Sequence, residues 1–206
     1  MSCPNIANML SLECEMWTFT LDSNCIISID ESGEDVSFVR RLVDAHSAGK
    51  AQVAVVALAA AEKQRTGSYL DNLDSFRDRL AALDLVHLEI LKPMACFDIS
   101  FPGWSIEADD AKTALEKQIH DILFAQSEFT WPNYADANDL DPDSLSPHGD
   151  WRSRKCAVQE IWAHIHNKRD VFVTADDEFH KPAKKAALAA LGAAQIERPA
   201  QAVSLL

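Results

Sequence analysis

The 206 residues are 48% apolar and 25% charged, enough for one full hydrophobic core in one domain. Five cysteines (Cys3, Cys14, Cys25, Cys96, Cys156) with no Cys-x-x-Cys pair argue for reduced thiols over a disulfide framework. With no basic-then-apolar leader and no long uncharged apolar run, a soluble cytoplasmic protein with no membrane span is expected, and the net charge of −13 weighs against a nucleic-acid binder.

In chain order, Trp17, Phe19 and Leu21 alternate with Thr18, Thr20 and Asp22 over 16–22, the period of a strand. Val36, Val39, Leu42 and Val43 repeat at helical spacing up to Gly49. The run AQVAVVAL (51–58) is continuous and apolar, as in a strand buried on both faces. It leads into AAAEKQRTG, an alanine-rich helix that Gly67 should stop. A further helix carries Leu70, Leu73, Phe76, Leu80 and Leu83 on one stripe, and VHLEILKP (86–93) reads as a strand closed by Pro93. Residues 94–108 show no regular period, and 109–127 form an amphipathic helix. The segment 131–150, with three prolines, five acids and no Lys or Arg, is expected to be a loop or partly disordered. A helix from Trp151 to Asn167, a strand at 170–174, a helix over 181–191 ending at Gly192 and a last short strand before Pro199 complete the chain. There is no internal repeat.

Alternating strands and helices imply a parallel sheet covered on both faces, with ligands at the carboxyl ends of the strands. Acidic residues fall at those ends. Asp22 closes the first strand, Asp176 follows DVFVT, and Glu62 sits early in the helix after the second strand. Converging carboxylates repel one another and call for a cation, and oxygen-only donors suit Mg²⁺ or Mn²⁺. Each acid also has a plain alternative. Asp22 can cap the next helix, Glu62 can be solvated on a helix face, and Asp176 can be a turn or cap residue.

The motifs LDSN, VALAAAE and DVFVTADDEF, with the closing LGAAQIERPAQAV, resemble the PIN domain over 16–93 and 151–203, leaving 94–150 as an enlarged middle. The resemblance implies a three-layer α/β/α sandwich with a mostly parallel sheet. It also implies a metal-dependent endoribonuclease, a hydrolase acting on RNA phosphodiester bonds. The matching positions are Asp22, Glu62 and Asp176, with Asn24 and Thr174 in supporting places. The family's further acid falls here near Ala157 or Val158. Asp150 is the best substitute, though two helical turns upstream and equally an N-cap, with Glu160 and Asp177 as weaker candidates.

Residues 1–150 hold 10 Lys/Arg against 26 Asp/Glu, whereas 151–206 hold 9 against 6. Trp151 with Arg152, Arg154 and Lys155 can form an RNA-contacting surface, and Lys168 and Arg169 belong to the same basic stretch. Cys156, His164, His166 and His180 have no zinc spacing, and Trp162 belongs to the core. A phosphoaspartyl phosphatase would need a second Asp where Asn24 stands. The alternative to a nuclease is an inactive binding module for RNA or protein. A protein partner, an antitoxin or a homodimer stays open.

Overall fold

The computed structural model describes residues 16–58, 70, 72–144 and 149–206. The described strands form a five-stranded, all-parallel sheet in the order β3-β2-β1-β4-β5. They are β1 (Thr18–Leu21), β2 (Gln52–Val56), β3 (Glu89–Leu91), β4 (Val171–Val173) and β5 (Gln195–Glu197). The chain builds outward from β1 to β3, then returns to the other side of β1 with β4. The order therefore reverses between β1 and β4, whose registered pairs run from Phe19 with Val171 to Leu21 with Val173. In open parallel sheets the carboxyl ends of the two strands at such a reversal border the ligand crevice.

The period of two along each strand divides the core. Phe19, Leu21, Val53, Val55, Val171 and Val173 face one cluster, packed with α1 (Ser23–Glu31), α2 (Val36–Ser47) and α3 (Leu73–Ala82). Ala54, Val56, Phe172 and Ile196 face the other, under α4 (Asp110–Phe124) and α6 (Gly149–His166), with Leu188 of α8 (Pro182–Leu188). Thr20 is the fully buried polar residue of β1. Its hydroxyl lies 3.0 Å from His164 Nδ1, while His164 Nε2 lies 3.0 Å from the carbonyl of Ala193. A carbonyl only accepts, so Nε2 carries the proton and Nδ1 accepts from Thr20. Burial pushes the His164 imidazole down to about 4, partly offset by the Ala193 hydrogen bond.

At the amino edge of the sheet, Arg169 is buried and staples three strands. Nη2 donates to the carbonyls of Phe19 (3.1 Å) and Gln52 (3.0 Å), and Nη1 to Glu89 (2.9 Å). Beside it, Asp170 accepts from both the amide and the hydroxyl of Thr18. Arg169 is thus committed to the fold rather than to an RNA surface.

The residues after Asp22 form helix α1, whose cap is Asp22, and the loop expected over 131–150 is corrected in part. Asp22 has extended φ/ψ and accepts from the Cys25 amide, while Cys25, Ile26 and Ile29 form the buried stripe. Within 131–150, residues Trp131–Ala137 are helical (α5), because Pro132 sits in the first turn, where its missing N–H costs nothing, and Tyr134 and Ala135 are buried. The alanine-rich helix expected before Gly67, and Glu62 with it, lies outside the described residues. No helix among the described residues is long and apolar enough to cross a membrane.

Candidate functional site

Asp22 stands at the carboxyl end of β1, on the reversal between β1 and β4, and is 1% exposed. Its Oδ1 accepts from the Cys25 amide at 3.0 Å. Oδ2 accepts from the Thr174 hydroxyl and, at 3.4 Å, from the exposed Asn24 amide. Its own N–H donates to the Val173 carbonyl across the strand pair at 3.1 Å. Burial lifts the Asp22 carboxyl above its ordinary value, and the bonds from Thr174, Cys25 and Asn24 pull it partly back. No cation among the described residues pairs with it. A carboxylate has about four acceptor positions, and these contacts leave room for one more partner.

Glu160 comes to the same place from α6. Its Oε1 accepts the Ser23 amide at 2.9 Å, and the side chain is buried. The first turn of α1 thus gives one backbone N–H to each acid, as helix N-termini do for anions. The buried Cys25 thiol registers both, pushed far up by burial first and then by the charges of Asp22 and Glu160.

Thr174, at the end of β4, ties Asp176 to this pair. Its hydroxyl donates to Asp22 and accepts the Asp176 amide at 3.0 Å. Asp176 is half-buried and caps the short helix α7 (Asp177–His180), accepting from the Glu178 amide at 2.9 Å. His180 Nε2 donates to the Thr174 carbonyl at 2.9 Å, fixing the turn from below. Asp177 points away, exposed and ion-paired to Arg198, which holds its carboxyl below the usual range. Arg198 also binds the Ala175 carbonyl at 3.0 Å.

Of the acids expected from sequence, Asp22 and Asp176 therefore meet through Thr174, and Glu160 joins them. Asp150 does not. It lies exposed in the first turn of α6, ten residues and about 15 Å along the axis from Glu160. Glu160, a weaker candidate than Asp150 from sequence, is the acid of α6 that reaches this place, on a helix buried on nearly all sides between Trp151 and His164.

The expected RNA surface on α6 is also corrected. Trp151 is buried edge-on against Trp131, with ring centroids 5.9 Å apart. Arg152 is buried and clamps Asp98 through its carboxylate and its carbonyl. Lys155 is buried in an ion pair with Glu116. Only Arg154 of that group remains partly open, donating to Ser127 Oγ at 2.7 Å. These side chains are core-facing because the enlarged middle region supplies them with acids and rings.

Among the described residues no group of three or more His, Cys, Asp or Glu side chains is arranged to hold a metal ion. His164 is enclosed by Thr20 and Ala193, and His166 stacks on Trp162 at 4.7 Å, so neither is placed as a ligand. Cys25, Cys96 and Cys156 form no disulfide among the described residues.

The fold and site together define an α/β protein with a parallel sheet and a buried carboxylate pair at its topological switch point. Comparison with family models, with curated proteins and with solved structures returned no match.

Proposed function

We propose that the protein is a PIN-like ribonuclease that hydrolyses RNA phosphodiester bonds with Mg²⁺ or Mn²⁺. The observation that carries this reading is the pairing of Asp22 with Glu160 at the strand reversal, two buried acids fed by one helix N-terminus. A desolvated carboxylate without a cation partner is costly, and among the described residues Asp22 has none. The donors are all oxygen, which fits a hard divalent ion. Mg²⁺ is commonly held by one or two carboxylates, with water and phosphate oxygens completing its shell, so a third protein ligand is not required. Bound there, the ion would activate a water and offset charge on the phosphoryl group.

The chain's own residues prepare the site. The Cys25 amide and Thr174 hydroxyl fix the orientation of Asp22, and the Ser23 amide fixes Glu160. Asp176, steered by Thr174 and the α7 backbone, stands at the half-open side, where it can orient water or the ion. Asn24 is the exposed polar group closest in sequence to Asp22 and is suited to contact the incoming backbone.

A second reading is a binding module without catalysis. It draws on the burial of Arg152 and Lys155 in ion pairs, which removes cations that a nucleic-acid groove would use. The test is incubation with single-stranded and hairpin RNAs in Mg²⁺, Mn²⁺ or EDTA, beside Asp22→Asn. Cutting that needs metal and disappears in the variant is expected. Intact RNA under every condition would overturn the nuclease reading in favour of the module.

A further inference from the structure

A groove of about 490 Å³ opens between the end of α4, the early turns of α6 and the α7–α8 segment. Its apolar wall is Ile122, Leu123 and Phe124, and its polar end is Ser127, Arg154 and Lys184. Arg154 differs from its neighbours on α6. Arg152 and Lys155 each have a carboxylate partner, whereas Arg154 meets the Ser127 hydroxyl and the Tyr134 ring, 5.9 Å away, and no carboxylate among the described residues. Lys184 donates to the Leu123 carbonyl and to Glu178. Two cations and one acid, Glu178, thus line the groove, a local positive spot on a chain of net charge −13.

The groove is linked to the acidic site by a run of hydrogen bonds. Glu178 forms part of its wall. The Glu178 amide donates to Asp176, the Asp176 amide to Thr174, and the Thr174 hydroxyl to Asp22. Along α6, Arg154 precedes Glu160 by six residues, about 9 Å. The volume lies within the roughly 300–1,000 Å³ of small-ligand sites. An apolar wall containing a ring, ended by a guanidinium, matches an unstacked base with its phosphate.

We infer that this groove holds a nucleotide flanking the scissile phosphate of single-stranded RNA, with Arg154 on its phosphate and the Phe124 wall against its base. The inference rests on the ribonuclease reading for the word scissile, and on the groove alone for the contact. Base-paired RNA keeps its bases stacked inside the duplex, so the groove selects for unpaired strands.

The test is fluorescence anisotropy with a labelled single-stranded oligoribonucleotide and the same strand in a duplex, in Mg²⁺ buffer. The Asp22→Asn background keeps the RNA intact. Arg154→Gln retains a donor for Ser127, Arg154→Lys retains the charge, and circular dichroism checks that both fold. Arg154→Gln is expected to weaken single-strand binding about tenfold or more. It should also flatten the log–log salt slope by about 0.7, one phosphate contact. Arg154→Lys is expected to keep the slope, and the duplex to bind less tightly. Equal affinity and slope for Arg154→Gln and its parent, equal binding of duplex, or no RNA binding by the parent would each overturn the groove. If the parent's binding depends on Arg154 while the unsubstituted protein cuts no RNA, the groove stands and the nuclease reading falls. Competition by an acidic peptide that leaves RNA binding independent of Arg154 would assign the groove to a protein partner instead.

Discussion

Replacing Lys155 by Met separates a structural role for the α6 cations from a surface one. Lys155 Nζ lies 2.5 Å from Glu116 Oε1, with the side chains only 8% and 4% exposed. Gln159 donates to the same oxygen at 2.5 Å and accepts the Met94 amide at 2.9 Å, so the pair sits inside a network joining α4, α6 and the end of β3. Methionine keeps the stem and removes the charge, leaving Glu116 buried with one amide donor. Breaking one side of a buried pair costs about 3–5 kcal/mol, out of a total stability of about 5–15 kcal/mol. Adding Glu116→Gln removes the stranded charge and keeps an acceptor for Gln159, so the double variant should be more stable than either single one. Urea denaturation reads this as a fall and partial recovery of the midpoint at unchanged slope. A loss below about 1 kcal/mol for Lys155→Met, or additive losses in the cycle, would refute the network. Weaker RNA binding with unchanged stability would return Lys155 to the surface.

Two pH experiments follow from buried groups. The Asp22 carboxyl is raised, so its contribution to stability is full below its unfolded value of 3.8 and declines as pH rises through the folded value. In EDTA, Asp22→Asn should therefore gain on the unsubstituted protein in thermal melts as pH rises above 3.8, and a constant offset from pH 3.5 to 8 would contradict this. His164 is lowered from 6.5 to about 4, so its contribution is full above 6.5 and is lost as pH falls toward 4. The shift corresponds to about 3 kcal/mol over that window. His164→Gln should remove that part of the acid slope in urea midpoints measured between pH 7 and 4, and an identical slope in the variant would refute the neutral assignment.

Much of the sheet could be read from local pattern. The buried runs at 51–58 and 170–174 have strand composition, and their placement as neighbours of β1 makes Asp22 and Thr174 meet. Helix α1 is legible only through its possible cap, because Cys25-Ile26-Ile27 has the composition of a strand and an Asp serves a cap and a ligand equally well. The role of Asp22 as cap is visible in the Cys25 bond, and that same bond aims its carboxylate. The buried role of Arg152 and Lys155 was hidden for a different reason. Their partners, Asp98 and Glu116, lie 54 and 39 residues away in sequence, in a region with no strand period to place them. Glu160 ranks below Asp150 in the sequence because helix register alone does not say which face of α6 meets α1.

Calorimetric titration of the purified protein with Mn²⁺ tests, without any RNA, the proposal that Asp22 and Glu160 together hold a divalent ion. Binding by the unsubstituted protein is expected, with at least tenfold weaker binding for both Asp22→Asn and Glu160→Gln and little change for Asp150→Asn. No Mn²⁺ binding by the unsubstituted protein, or undiminished binding by Glu160→Gln, would contradict it.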